Sequence, residues 1–193
     1  NEKAISDLFI RMGRIQYAIM AFILTGFILF GKVFIYFWAG SDYDEAYYIA
    51  LLFFIPLTIP LIQNLGIIIL QARNQMRFRC VLYVVIAFVS LGISIPLARL
   101  YGGIGCALGT VFALVVGQII AMNIYYHRRI HIDIVRFWKE IFRMSLVPIL
   151  LGGVGYCFLN MITLTNAWEL GLAILLFSLI YVPLFWYMGL NGY

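Results

Sequence analysis

Charge is what this sequence lacks. Only 11% of its 193 residues are Asp, Glu, Lys or Arg and 65% are hydrophobic, whereas soluble domains carry about a quarter charged residues. No soluble fold hides that much apolar surface, so the expected class is a membrane protein. The acids are scarcest where they would matter most. Asp and Glu are absent from the interior of every long apolar run, which excludes an intramembrane carboxylate for a proton relay or a sodium site in this chain and removes the acid pair that a hydrolytic centre would use. Cysteine is sparse and dispersed: Cys80, Cys106 and Cys157 form no CxxC pair and have no histidine at ligand spacing, so packed thiols are expected, not a disulfide framework or a zinc site. The two histidines, His127 and His131, stand among cations with Asp133 as the nearest third ligand, and no metal or cofactor is expected from them. The opening Asn1-Glu2-Lys3 has no short apolar region behind it and no initiator Met, so we expect no signal peptide and read the chain as a piece of a longer protein. The net charge of +5 does not imply nucleic acid, because the cations lie in short connections and no basic soluble domain remains to form a groove.

What is present is a series of six apolar runs, at 15–38, 46–70, 81–98, 104–126, 144–164 and 170–190. Each approaches the roughly 20 residues that cross a bilayer core as a helix. They are continuously apolar and do not alternate with a period of two, so helices are expected and barrel strands are not. The fold class is all-α, a polytopic bundle of about six transmembrane helices. Eleven of the thirteen cations fall in 1–14, 73–79 and 127–143, among them Arg73, Arg77, Arg79, Arg128 and Arg129, whereas the opposite connections hold Arg99, Asp42, Asp44, Glu45 and Glu169. The positive-inside rule then places both ends of the segment in the cytoplasm. Tyr36, Trp38, Tyr43, Tyr47 and Tyr48 surround the first outer connection and read as headgroup anchors or as a platform for stacking sugars. In 133–143, Ile134, Val135, Trp138, Ile141 and Phe142 are placed on one helical face and the charges on the other, which predicts a separate segment lying along the cytoplasmic surface.

Three constellations stand out inside the runs. Gly105, Gly109, Ala113, Gly117 and Ala121 recur every four residues, leaving a bare helix face against which another helix can pack closely or slide. Pro56, Pro60, Asn64 and Gln71, with Gln63 beside them, share one face of the second run at 100° per residue. The prolines predict a kink, and the amides predict either interhelical hydrogen bonds or the lining of a substrate path. Lys32 lies six residues before Trp38. It is either a cation facing a cavity or a snorkelling anchor whose ammonium spans the remaining ~9 Å to the headgroups.

The stretches FWAGSDYDEAY at 37–47, LQARNQMRFR at 70–79 and YGGIGCALGT at 101–110 resemble the oligosaccharide flippase family of bacterial polysaccharide biosynthesis proteins. Gly40, Tyr43 and Ala46 match its Gly-x-x-Tyr-x-x-Ala, Leu70 and Ala72 its Leu-x-Ala before a basic loop, and Gly102, Gly105, Ala107 and Thr110 its Gly-x-x-Gly-x-Ala-x-x-Thr. The resemblance covers 40–110; the later helices match by hydropathy. It implies a two-bundle transporter of 12–14 helices, with residues 1–193 as the C-terminal bundle and the N-terminal half of the same protein as its partner. It further implies alternating-access flipping of a polyprenyl-pyrophosphate-linked oligosaccharide across the bacterial cytoplasmic membrane for O-antigen, capsule or a related polymer, without a cofactor and without enzymatic turnover. A multidrug exporter or lipid II flippase of the same superfamily, a glycan-modifying membrane enzyme and a structural membrane subunit are the other classes considered. The amides and Lys32 are the substrate-path candidates.

The charge asymmetry generates the first prediction. In a background without the native cysteines, a cysteine at Ser41 labels with a membrane-impermeant reagent in intact cells and one at Gln75 does not; the reverse pattern would invert the topology.

Overall fold

A computed structural model describes residues 2–161 and 166–187. The chain is helical from end to end of the described residues: α1 Glu2–Ala39, a 3-10 turn Ser41–Tyr43, α2 Asp44–Ile62, α3 Asn64–Ala72, α4 Met76–Leu114 continuing as a π-helical segment Val115–Ala121, α5 Met122–Arg129, α6 Ile134–Met161 and α7 Ala167–Phe185. Among the described residues, five helices are long and apolar enough to cross a membrane. The protein is therefore an all-α, multi-pass membrane bundle.

The longest of these, Met76–Arg129, is two passes and not one. At Gly102 the backbone takes φ 61°, ψ −138°, a conformation open to glycine and strained for L side chains, and the chain folds back. The small-residue stripe is the seam of the resulting hairpin. A Cβ on Gly105 would run into the Leu97 carbonyl, one on Gly109 would lie 2.5 Å from Ser94 Oγ and 2.7 Å from its Cα, and one on Gly117 would meet Ile86. These partners recede from Gly102 as the glycines advance, as they must in an antiparallel pair. Gly105, Gly109, Ala113 and Gly117 are buried and Ala121 is half-buried. Hydroxyls complete the seam: Ser90 Oγ donates to Thr110 Oγ1 at 3.2 Å and Ser94 Oγ to the Cys106 carbonyl at 3.1 Å. Backbones approach because nothing projects between them, which is how helices associate where lipid competes equally for apolar surface.

The remaining turns have local causes. Gly40, at φ 96°, separates α1 from the 3-10 turn. After α3, Asn74 adopts φ 53°; its N–H bonds Gln71 O at 3.0 Å and that of Gln75 bonds Leu70 O at 2.9 Å, the paired closure that an asparagine in the left-handed region provides. His131, φ 59°, ends α5. Asp133 then caps α6, its carboxylate accepting from Arg136 N at 3.0 Å.

Several boundaries differ from the hydropathy reading. The run 46–70 is interrupted at Gln63, which leaves the helical region (φ −100°, ψ 16°) and separates α2 from α3. The separate surface segment expected at 133–143 is instead the first turns of α6, continuous with the membrane helix. Charges lower the hydropathy there but do not stop a helix, and the face is also different: Ile134, Phe137, Ile141 and Met144 are buried, whereas Val135 and Phe142 are exposed. The expected packed thiols are free, and all three cysteines are exposed. The end of the fifth run (162–164) and of the sixth (188–190) lie outside the described residues.

The chain divides into two compact units, the first formed by residues up to Gln16 with Tyr48–Trp138, the second by Tyr17–Tyr47 with residues from Lys139 onward. In the first, the most completely buried side chains, Phe9, Ile62, Leu70, Met122, Ile130, Ile132 and Phe137, come from the ends of α1, α2, α3, α5 and α6 and the α5–α6 connection. In the second, Met144, Val147, Tyr181 and Phe185 form one core, with Tyr17, Phe22 and Phe177 against it, and Leu29, Phe30 and Leu170 form another.

The seam generates the second prediction. Gly109→Leu overfills the contact with Ser94 and lowers detergent stability by about 1–3 kcal/mol, while Val116→Leu at an exposed position leaves it within about 0.5 kcal/mol. Equal melting temperatures for the two variants would show that the stripe does not hold the hairpin.

Candidate functional site

Apart from the hydroxyls of the hairpin seam, the buried side-chain amides of the first unit gather around the break in α2–α3. Pro56 and Pro60 lack the N–H that would bond back along α2, and Thr58 turns its hydroxyl to the Phe54 carbonyl at 2.7 Å. The helix survives both prolines and gives way at Gln63, whose own N–H still reaches Ile59 O at 3.2 Å. The carbonyls left at the end of α2 face α1. With its side-chain nitrogen turned towards these acceptors, Gln16 donates to Ile62 O at 3.0 Å and Leu61 O at 3.2 Å. Gly13 makes this approach possible, since a Cβ there would lie 3.1 Å from Ile62 O and collide with the Phe137 ring.

The Gln63 side chain is 2% exposed and donates from Nε2 to Asn123 Oδ1 at 2.8 Å. The same oxygen accepts from Trp138 Nε1 at 3.3 Å, and Asn123 Nδ2 donates to the Ile119 carbonyl at 2.7 Å. Ile119 belongs to the π-helical segment, where the N–H of Met122 bonds Gly117 O, five residues back. One buried amide thus joins the break in one helix to the irregularity in another. Gln118, in the same segment, is also buried. Just beyond this level, Tyr126 sits over Gly66, where a Cβ would come within 2.5 Å of its ring.

The cation-rich segments meet at one end of this unit. Arg136 pairs with Asp7 at 2.8 Å, Asp133 N donates to Ser6 Oγ at 3.4 Å, and Arg73 Nη1 donates to the Ile130 carbonyl at 3.4 Å. Of the five arginines expected in loops, only Arg73 closes a helix. Arg77 and Arg79 lie in the first turn of α4, and Arg128 and Arg129 in the last turn of α5, where cations complement the carbonyl end of the helix. Arg79 is buried; its guanidinium donates to Tyr83 Oη at 2.7 Å and lies 5.1 Å from the centre of that ring.

The substrate-path candidates do not share one environment. Gln63 is buried and engaged in the interhelical bond, whereas Asn64 and Gln71 are exposed. The common face expected for Pro56, Pro60, Asn64 and Gln71 assumed an unbroken helix, and the break removes it. Lys32 belongs to the second unit. Its side chain is half-exposed, with Nζ 3.9 Å from Asp44 Oδ2. Close by in sequence, Tyr47 turns inward, bonding Ile28 O at 2.9 Å and stacking on Phe27, while Tyr36, Trp38 and Tyr43 are exposed. The second unit also carries an apolar groove of about 260 Å³ floored by Gly26 and Gly31 and walled by Phe22, Phe27, Phe30 and Phe177.

Gln16 and Asn123 escaped the sequence reading, and Trp138 was read only as part of an apolar face. Their signal was available, since Gln16 and Asn123 are amides within apolar runs and buried amides require partners. Nothing in the sequence indicated that they pair with Gln63. No family model, no curated protein and no solved structure matches the chain.

The Gly66–Tyr126 contact supplies the third prediction. Gly66→Ala lowers the melting temperature in detergent by the equivalent of about 1–3 kcal/mol, and adding Tyr126→Leu, which withdraws the ring, restores part of that loss. A double variant no more stable than expected from adding the two single changes would refute the direct contact.

Proposed function

We propose that the chain is the C-terminal bundle of a transporter that flips a polyprenyl-pyrophosphate-linked oligosaccharide from the cytoplasmic to the outer leaflet of a bacterial inner membrane. The observation in its favour is that six of the nine residues of the family-like pattern stand where the fold tolerates little change. Gly40 and Gly102 take positive φ, Gly105 abuts the Leu97 carbonyl, Leu70 and Ala107 are buried, and Thr110 bonds across the hairpin seam. Tyr43, Ala46 and Ala72 of the same pattern are exposed, so the support comes from the other six, each of which meets a separate geometric demand.

Membrane transport agrees with the interrupted helices. Irregular backbone at membrane depth is kept where partners satisfy it and where a helix must bend, and at Gln63 and in Val115–Ala121 side-chain amides supply such partners. The substrate class comes from the resemblance, and its chemistry fits. A diphosphate with sugars cannot cross about 30 Å of hydrocarbon unaided, whereas accessible cations would attract it. In this reading the basic end of the first unit faces the cytoplasm, Lys32 meets the diphosphate nearer the outer leaflet, and the exposed amides Asn64 and Gln71 serve sugar hydroxyls.

Deleting the gene in its own host should abolish surface polymer and leave lipid-linked repeat units on the inner leaflet; normal polymer in the deletion strain would sink the proposal. Complementation then tests Lys32 at equal membrane abundance. Lys32→Arg retains most of the polymer, Lys32→Gln loses about tenfold, the equivalent of a 1.4 kcal/mol contact, and Lys32→Glu loses more by repelling both the diphosphate and Asp44. Wild-type polymer from Lys32→Gln would make Lys32 an interfacial anchor.

A further inference from the structure

We infer that the break at Gln63 and the π-helical segment Val115–Ala121 are one hinge, latched by the Gln63–Asn123–Trp138 cluster, about which α3 and α5 swing together as a pair. The inference concerns how the first unit moves and does not depend on the cargo.

Three independent features converge on it. The first is that the two irregularities face each other. Gln63 has left the helical region, the π segment ends at Ala121, and Gln63 Nε2 bonds Asn123 Oδ1 at 2.8 Å. A single broken helix is a local defect, but two adjacent helices interrupted at one level and joined there by a side-chain bond define an axis. Single-turn π segments are common where a helix changes direction or serves a function.

The second is that the segments beyond the axis are fastened to each other. Tyr126 of α5 occupies the notch at Gly66 of α3, and Arg73, at the end of α3, donates to the Ile130 carbonyl that follows α5. Neither can bend without carrying the other. On the opposite side of the axis, Gly105 and Gly109 hold the two halves of α4 in close contact, and Gly117, inside the π segment itself, rests on Ile86. Fastened blocks thus lie on both sides of a narrow zone with fewer regular backbone bonds.

The third is that the zone is satisfied by side chains that can exchange partners. Gln16 serves the Leu61 and Ile62 carbonyls, Gln63 and Trp138 share one oxygen of Asn123, and Asn123 serves Ile119. In hydrocarbon an unsatisfied backbone group is too costly for a bend to be left open. Amides, with donors and acceptors on one rotatable group, can follow a changing backbone. Both α1 and the first half of α4 pass the same level without interruption, so they act as the struts against which the pair turns.

Double electron–electron resonance on the intact protein in lipid nanodiscs, with the native cysteines replaced, tests the coupling. Labels at Ile55 and Gln71 span the α2–α3 break, and labels at Leu108 and Arg128 span the π segment, at helical separations of about 24 and 30 Å. A control pair at Val81 and Ile95 lies on the unbroken half of α4. Gln63→Leu is expected to broaden both spanning distributions at least about twofold and leave the control unchanged; Asn123→Leu does the same, and the double variant adds nothing. Trp138→Phe, which retains a ring beside Phe137 and removes only the indole donor, broadens both by less and stands in if the leucine variants do not fold. Broadening confined to the pair that spans the substituted residue, broadening of the control as well, or unchanged widths in every variant would each overturn the proposal.

Discussion

Inside a bilayer every backbone N–H and C=O needs a partner within the protein, and that constraint explains most of what is irregular here. A regular helix meets it alone, so each departure from regularity must bring its own donors or acceptors. Gln16 covers the carbonyls at the end of α2. Asn123 covers Ile119 in the π segment. The polar side chains in the spans of the first unit are distributed by this need more than by any general tolerance of polarity.

The same solvent removes the hydrophobic effect as a reason for helices to associate, because lipid is as apolar as leucine. Close contact must then come from shape. In the first unit, glycines admit what would otherwise collide: the Phe137 ring at Gly13, the Tyr126 ring at Gly66, the Ser94 backbone at Gly109 and the Ile86 side chain at Gly117. In the second, Leu29 comes against Gly155 and the Thr25 methyl against Gly152. The large aromatic side chains in these contacts have little freedom to relocate, which is why a single added methyl should be felt.

Hydropathy made the spans and the stripe legible, because both are properties of residue type at a fixed spacing. It failed where continuity or pairing decides. The α6 helix runs through 133–143 although charge interrupts the apolar pattern, since backbone hydrogen bonding does not register hydropathy. Phe137 is fully buried, yet it was assigned to neither face because the stripe was drawn through Trp138. The amide face assumed 100° per residue through 56–71, and a rotation at Gln63 moved Asn64 and Gln71 to the surface. Arg79 looked like a loop cation because its neighbours are basic; an arginine that finds Tyr83 can be buried in the first turn of a helix.

Charge and packing meet at the basic end of the first unit. Three segments rich in cations converge there, and Arg136–Asp7 is an exposed pair, which contributes little by itself. The side chains buried beside it supply what the ion pair cannot. Phe9 packs against both Phe137 and Tyr126, with ring centres 5.1 and 6.0 Å apart, and the connection after α5 is drawn in by Ile130 and Ile132. Like charges would drive these segments apart if only their side-chain termini mattered. Apolar residues beneath the basic surface hold them together, leaving most of the cations, though not the buried Arg79, where water and headgroups can solvate them. The end that looks electrostatic in sequence is therefore held by its aromatic interior.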